Sequence, residues 1–113
     1  MEIIKNTLKI SQLKEMAERL FGNLVKAVVD TEQEWLAVDG ELHSDLEAFL
    51  LEGGSKQKNL WGINLYVDRQ GEDFIEFDSV INMRPSQNNR SRGVDSPEIR
   101  KRITDIVNKR LKL

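Results

Sequence analysis

Nine residues, Arg84-Pro-Ser-Gln-Asn-Asn-Arg-Ser-Arg92, carry three guanidinium groups, three side-chain amides and two hydroxyls. Arginine meets phosphate or carboxylate in a bidentate fork, and amides and hydroxyls add orienting hydrogen bonds. The stretch therefore reads as an anion-binding loop. Arg84, Arg90 and Arg92 would pair with phosphate, and Ser86, Gln87, Asn88 and Asn89 would orient it. Asn64 and Asn82, on the strand-like runs that precede the loop, extend the same polar set. Loops held between a strand and a helix commonly carry function. The helix start near Ser96 adds a positive dipole end. The same composition also suits a solvated loop.

A second set is His43, Glu76 and Asp78. His43 is the only histidine, so an imidazole-based metal site would need carboxylates such as Asp39, Glu41, Asp45 or Glu47. A lone histidine before a helix is more often a local hydrogen-bonding residue. Glu76 and Asp78 alternate along one strand face, where two carboxylates can serve acid–base chemistry or a divalent ion. Pinning of Asp78 by Asn64 across a hairpin is the plainer explanation. Ser44 has no nearby base but His43, so no nucleophile pattern emerges. With no cysteine there is no disulfide and no thiolate site. No metal site is predicted, and no cofactor is indicated.

These residues need elements to position them. Leu60–Asp68 and Phe74–Arg84 read as two strands around the turn Arg69–Asp73. Pairing across that turn sets Trp61, Ile63, Leu65 and Val67 opposite Ile81, Ser79, Phe77 and Ile75 on a core face. The other face then sets Asn64 against Asp78 and Tyr66 against Glu76. Its mixture of apolar and polar residues suits a half-covered face or a groove.

Earlier in the chain, Met1–Lys5 reads as a short strand. Ser11 caps a helix whose stripe is Leu13, Met16, Ala17, Leu20 and Phe21, closed by Gly22 in the left-handed conformation. Leu24–Asp30 and Trp35–Asp39 form a hairpin. Its expected faces are Val28, Leu36 and Val38 on one side, and Ala27, Val29, Trp35 and Ala37 on the other. Both are apolar, so the hairpin belongs at the centre of a sheet. Ser44 and Glu47 have the spacing of a capping box ahead of a helix that buries Leu46, Phe49 and Leu50 and stops at Gly53-Gly54. Ser96, Pro97 and Glu98 start a last helix that buries Ile99, Ile103, Ile106, Val107 and Leu111.

The order predicts one α+β domain over residues 1–113: a mostly antiparallel sheet of four to five strands with three helices. A ferredoxin-like variant with an extra C-terminal strand and helix is the topology that fits this order. The N-terminus lacks the basic and apolar regions of a signal peptide, and no apolar run reaches membrane-spanning length. A cytoplasmic protein without a membrane partner is the expectation.

The net charge of −2 hides an asymmetry. Residues 84–113 hold nine Lys or Arg against three Asp or Glu, whereas the rest holds eight against sixteen. The overall balance argues against a general nucleic-acid binder. The split allows a local basic patch, or attraction between the two parts inside one fold.

Gly40–His43, Asn59–Tyr66, Ile75–Ser79 and Ile81–Val94 resemble a family of short prokaryotic proteins classed as a domain of unknown function. The resemblance covers most of the chain, with Arg84–Val94 its most specific part. It implies a small single-domain protein and no activity, cofactor or catalytic residue. On the residues themselves, the favoured function is a module that captures a phosphate-bearing ligand, nucleotide or RNA, through the arginine loop. The alternatives are a small enzyme in which His43, Glu76 and Asp78 meet that loop, and a protein-interaction module or homodimer using Leu60, Val80 and Trp35.

Overall fold

The structure is a computed structural model that describes residues 1–113. Along the chain run β1 (Glu2–Ile4), β2 (Leu8–Lys9), α1 (Ile10–Leu20), β3 (Leu24–Asp30), β4 (Trp35–Val38) and α2 (His43–Glu52). Then come β5 (Leu60–Tyr66), β6 (Ile75–Glu76), α3 (Pro97–Arg110) and β7 (Leu111–Lys112). Five strands make an antiparallel sheet in the order β1-β4-β3-β5-β6, and β2 and β7 form a small parallel pair. This is an α+β fold with three helices.

The sheet order differs from the ferredoxin-like expectation. That arrangement would seat β5 beside β1, but β5 lies against β3 and β1 is an edge strand. Ladder length explains the choice. All seven residues of β5 pair with β3, whereas β1 has three residues and uses them on β4.

The two faces are covered unequally. Leu13, Met16 and Ala17 of α1 and Ile103, Ile106 and Val107 of α3 pack on Val25, Ala27, Val29, Leu36, Val38, Ile63 and Leu65. On the opposite face, α2 sets Leu46 and Leu50 on Val28, Ala37 and Leu60. The β3–β4 hairpin is central and apolar on both sides, as expected, but its faces are sorted differently. Val29 pairs with Leu36 and Val28 with Ala37, so Leu36 and Val38 join Ala27 and Val29 instead of Val28. The turn sets this register. The buried Asp30 carboxylate accepts from the Glu32 and Gln33 N–H groups and from the Ser55 hydroxyl, and Glu34 adopts positive φ.

Two expected helix caps are replaced. α1 begins one residue before Ser11, where the Gln12 side chain accepts from the Lys9 N–H at 3.0 Å. Gly22, at φ +91°, ends it as the sequence indicates. The Ser44–Glu47 capping box does not form. Leu42 is the cap residue of α2, and His43 already lies in the first turn, where its ring is tied to Ile63 of β5. Ser96 does cap α3, accepting from the Ile99 N–H.

The second run of the expected hairpin leaves the sheet early. Only Ile75 and Glu76 pair with β5, and Asn64 stands opposite Glu76, not Asp78. Beyond them the chain turns, and Val80–Asn82 is a 3-10 turn. The fully buried Asn82 side chain takes the place of a strand partner. Its Oδ1 accepts from the Gly62 N–H at 2.8 Å, and its Nδ2 donates to the Gly62 carbonyl at 2.9 Å. A side-chain amide offers the same donor and acceptor as a peptide group, so the ladder is satisfied without a strand. Gly62 is required there, because a Cβ would lie 2.6 Å from that of Ser79. Ile75 and Phe77 therefore pack against the α1/α3 core, while Ile81 crosses to the α2 side.

The basic flank of α3 is used inside the fold. Arg102 and Lys109 bind the Glu34 carboxylate, and Arg110 donates to the carbonyls of Glu34 and Asn6. Attraction between the acidic and basic parts of the chain is thus realised at the Thr31–Glu34 turn.

Asn82→Ala should cost about 3 kcal/mol, because it strands the buried N–H and C=O of Gly62. Urea unfolding of the variant and the parent checks it; a loss within the scatter of an exposed-residue substitution would contradict the assignment.

Candidate functional site

Loop 84–92 is held chiefly by its own polar groups. The Arg84 guanidinium donates to the carbonyls of Gln57 and Leu60 and stacks on Trp61 at 4.2 Å. The buried Asn89 donates to the carbonyls of Asn82 and Gly93 and accepts from the Asp95 N–H. Gln87 donates to the Lys58 carbonyl, and Ser91 to the Asp95 carboxylate. The Ser91 bond, the largest cause, holds the Asp95 carboxyl below the usual carboxylate range. Ser86, Asn88 and Arg90 remain exposed, with Asn88 at positive φ. Of the polar residues named from sequence, Arg84, Asn82, Asn89 and Gln87 thus act as fasteners. Asparagine amides that bond backbone look the same in a sequence as amides that wait for a ligand.

A second assembly forms on the sheet face that α2 leaves open. α2 covers Val28 and Leu60. Farther along the same face lie Lys26 on β3 and Asn64 on β5, which are direct partners in the ladder. Glu76 on β6 and Tyr66 on β5 stand beside Asn64. The Glu76 carboxylate accepts from Asn64 Nδ2 at 2.8 Å and from the Tyr66 hydroxyl at 3.2 Å. Burial first, and then Glu76, push the Tyr66 pKa above its ordinary value. Arg69 stacks over the Tyr66 ring, and Lys26 lies over Phe21.

His43 enters from the start of α2. Its Nε2 lies 2.8 Å from the Ile63 carbonyl. A carbonyl only accepts, so Nε2 carries the proton and Nδ1 is left as an acceptor with no partner in the protein. Burial is the main cause of a pKa below the usual 6.5; the bond to Ile63 and the Asp78 charge oppose it, and Lys26 and Arg92 reinforce it. Asp78 and Arg92 are thus electrostatic neighbours of His43, and they pair with each other at 2.6 Å. The neutral imidazole is the stable form near neutral pH.

Asn64 is 8% exposed, and its Oδ1 is buried without a hydrogen-bond partner. The amide cannot simply be turned over. Nδ2 must face the Glu76 carboxylate and the Asp78 carbonyl, which only accept. The site therefore joins two unfilled acceptors, Asn64 Oδ1 and His43 Nδ1, to two cations, Lys26 and Arg92.

His43, Asn64, Glu76, Asp78 and Arg92 were named from sequence, and the fold brings them together. Lys26 was not, and only the β3–β5 register reveals it. Leu60, named for a protein contact, is fully buried under α2, whereas Val80 is 62% exposed. No group of three His, Asp or Glu residues is placed to hold a metal ion. No helix is long and apolar enough to cross a membrane.

Because folding disfavours the charged imidazole, the unfolded chain takes the proton first as pH falls below about 6.5. The stability involved is complete above that value and is lost as pH falls through the lower folded pKa. Wild type should therefore lose more stability between about pH 7 and pH 5 than His43→Gln does in parallel urea melts. Superimposable profiles would refute the burial argument.

Residues 2–110 match a family model described as a protein of unknown function (DUF5674). No curated protein and no solved structure matches the chain.

Proposed function

We propose that this chain, which belongs to the DUF5674 family, is a binding module for a small phosphate-bearing ligand seated on the polar half of the sheet. The supporting observation is Asn64, a nine-tenths buried amide whose Oδ1 has no partner. Leaving such an acceptor empty costs about 1–3 kcal/mol, so a donor from outside the chain would be bound favourably. A ligand hydroxyl or amino group supplies it, and a second one suits His43 Nδ1. The phosphate is matched by Lys26, which makes no ion pair, and by the terminal N–H groups of Arg92, whose Nε alone holds Asp78. Sugar phosphates and nucleotides combine these features. Long RNA fits less well, since Arg84, Arg102, Lys109 and Arg110 are tied into the fold and, of the loop arginines named for it, Arg90 alone has a wholly free side chain.

A second reading, acid–base chemistry by His43, has one observation in its favour. The ring is fixed in one tautomer with Nδ1 free, and it feels the charges of the Asp78–Arg92 pair. Neither carboxylate is free of partners, so His43 would act as the base.

Titration of labelled protein with a nucleoside monophosphate, the bare nucleoside and inorganic phosphate tests the binding role. The monophosphate should shift the amides of residues 24–27, 43–45, 62–66 and 76–79, and Lys26→Ala should weaken it by about tenfold. The nucleoside and phosphate should each bind more weakly. Shifts confined to residues 86–90 would return the site to the arginine loop, and no saturable shift would remove the proposal.

A further inference from the structure

Away from the polar face, α1 and α3 flank the β6 end of the sheet. They leave a half-open groove of about 1140 Å³. Its floor includes Ile10, Val67, Phe74, Ile75 and Phe77. Each is only partly buried and packs against the edge of the main core, so the apolar core continues into the groove. The rim carries Lys14 from α1, Arg69 from the turn after β5, and Arg100 and Lys101 from α3, against Glu72 and Asp73. Lys101 is paired with Asp105, but Lys14, Arg69 and Arg100 make no ion pair. Arg100 is held in place by stacking on Phe77 and by donating Nε to the Val94 carbonyl, which leaves its terminal N–H groups free.

We infer that this groove binds an amphiphilic anion, a small molecule with an aliphatic chain and one carboxylate. The chain would lie on the floor, where affinity rises with each methylene removed from water. The carboxylate would meet the unpaired cations of the rim, and Arg100 is preorganised to receive it. A neutral chain would use only the floor, and a short anion only the rim. Binding therefore needs both parts of the ligand. The groove takes none of its lining from His43, Lys26 or Asn64 and meets the polar face only at Arg69, which stacks over Tyr66.

The experiment is amide shift mapping with decanoate below its micelle concentration, with decanol and acetate as controls. Decanoate should shift residues 67–77 and 100–108 saturably. Decanol should bind about tenfold more weakly, and acetate should not bind measurably. The double variant Lys14→Ala/Arg69→Ala alters only exposed side chains, so it keeps the fold, and it should bring decanoate close to the affinity of decanol. Equal binding of decanoate and decanol by the wild type would overturn the proposal. So would decanoate shifts outside the groove, shifts spread over the whole chain, or none.

Discussion

Everything from Phe77 to Gly93 depends on one side chain that stands in for a strand. Past Glu76 the β5 backbone has lost its neighbour, and a buried, unpaired peptide group is expensive. Asn82 supplies both missing bonds at Gly62, and its Nδ2 also reaches the Arg92 carbonyl at 3.0 Å. The Asn82 carbonyl in turn accepts from Asn89, whose amide also fixes Gly93 and Asp95. Two buried asparagines thus organise a long irregular stretch with no ladder of its own. The close approach of Ser79 is tolerated because Gly62 has no side chain.

That device has consequences for the molecule's surfaces. Because the strand stops at Glu76, Asp78 and Arg92 fold back toward His43 instead of running along the sheet edge. Because α2 has only ten residues, it covers one half of its face and leaves Lys26, Asn64 and Tyr66 to form a polar half. On the other side, the two-residue β6 is too short to carry the core under α3, and the amphiphilic groove results. The Asp78–Arg92 corner of the polar face and the groove both follow from the same early end of a strand.

Much of this was legible in the sequence. Valine-rich Leu24–Asp30, the Pro97 start of α3 and the Gly22 stop appear where spacing and turn chemistry place them. The α+β class and the central hairpin follow from them. Phe74–Arg84 was not legible as a strand that fails, because its alternation is that of a strand. What ends it is a contact with Gly62, twenty residues earlier. The same limit applies to the site. Residue types singled out His43, Asn64, Glu76, Asp78 and Arg92, but they could not separate them from Arg84, Asn82 and Asn89, whose partners are backbone carbonyls and N–H groups brought in by folding. Ser44 shows a related failure: its capping pattern is intact, but the tie between His43 and Ile63 starts the helix without it.

Native-state hydrogen exchange at the Gly62 amide addresses the central constraint most directly. With Asn82 in the role of a strand, that amide should be protected to the same degree as Ile63 and Leu65 in the β3–β5 ladder. Exchange at the rate of an exposed loop amide would show that the strand substitute does not hold, and the placement of Asp78 and Arg92 beside His43 would fall with it.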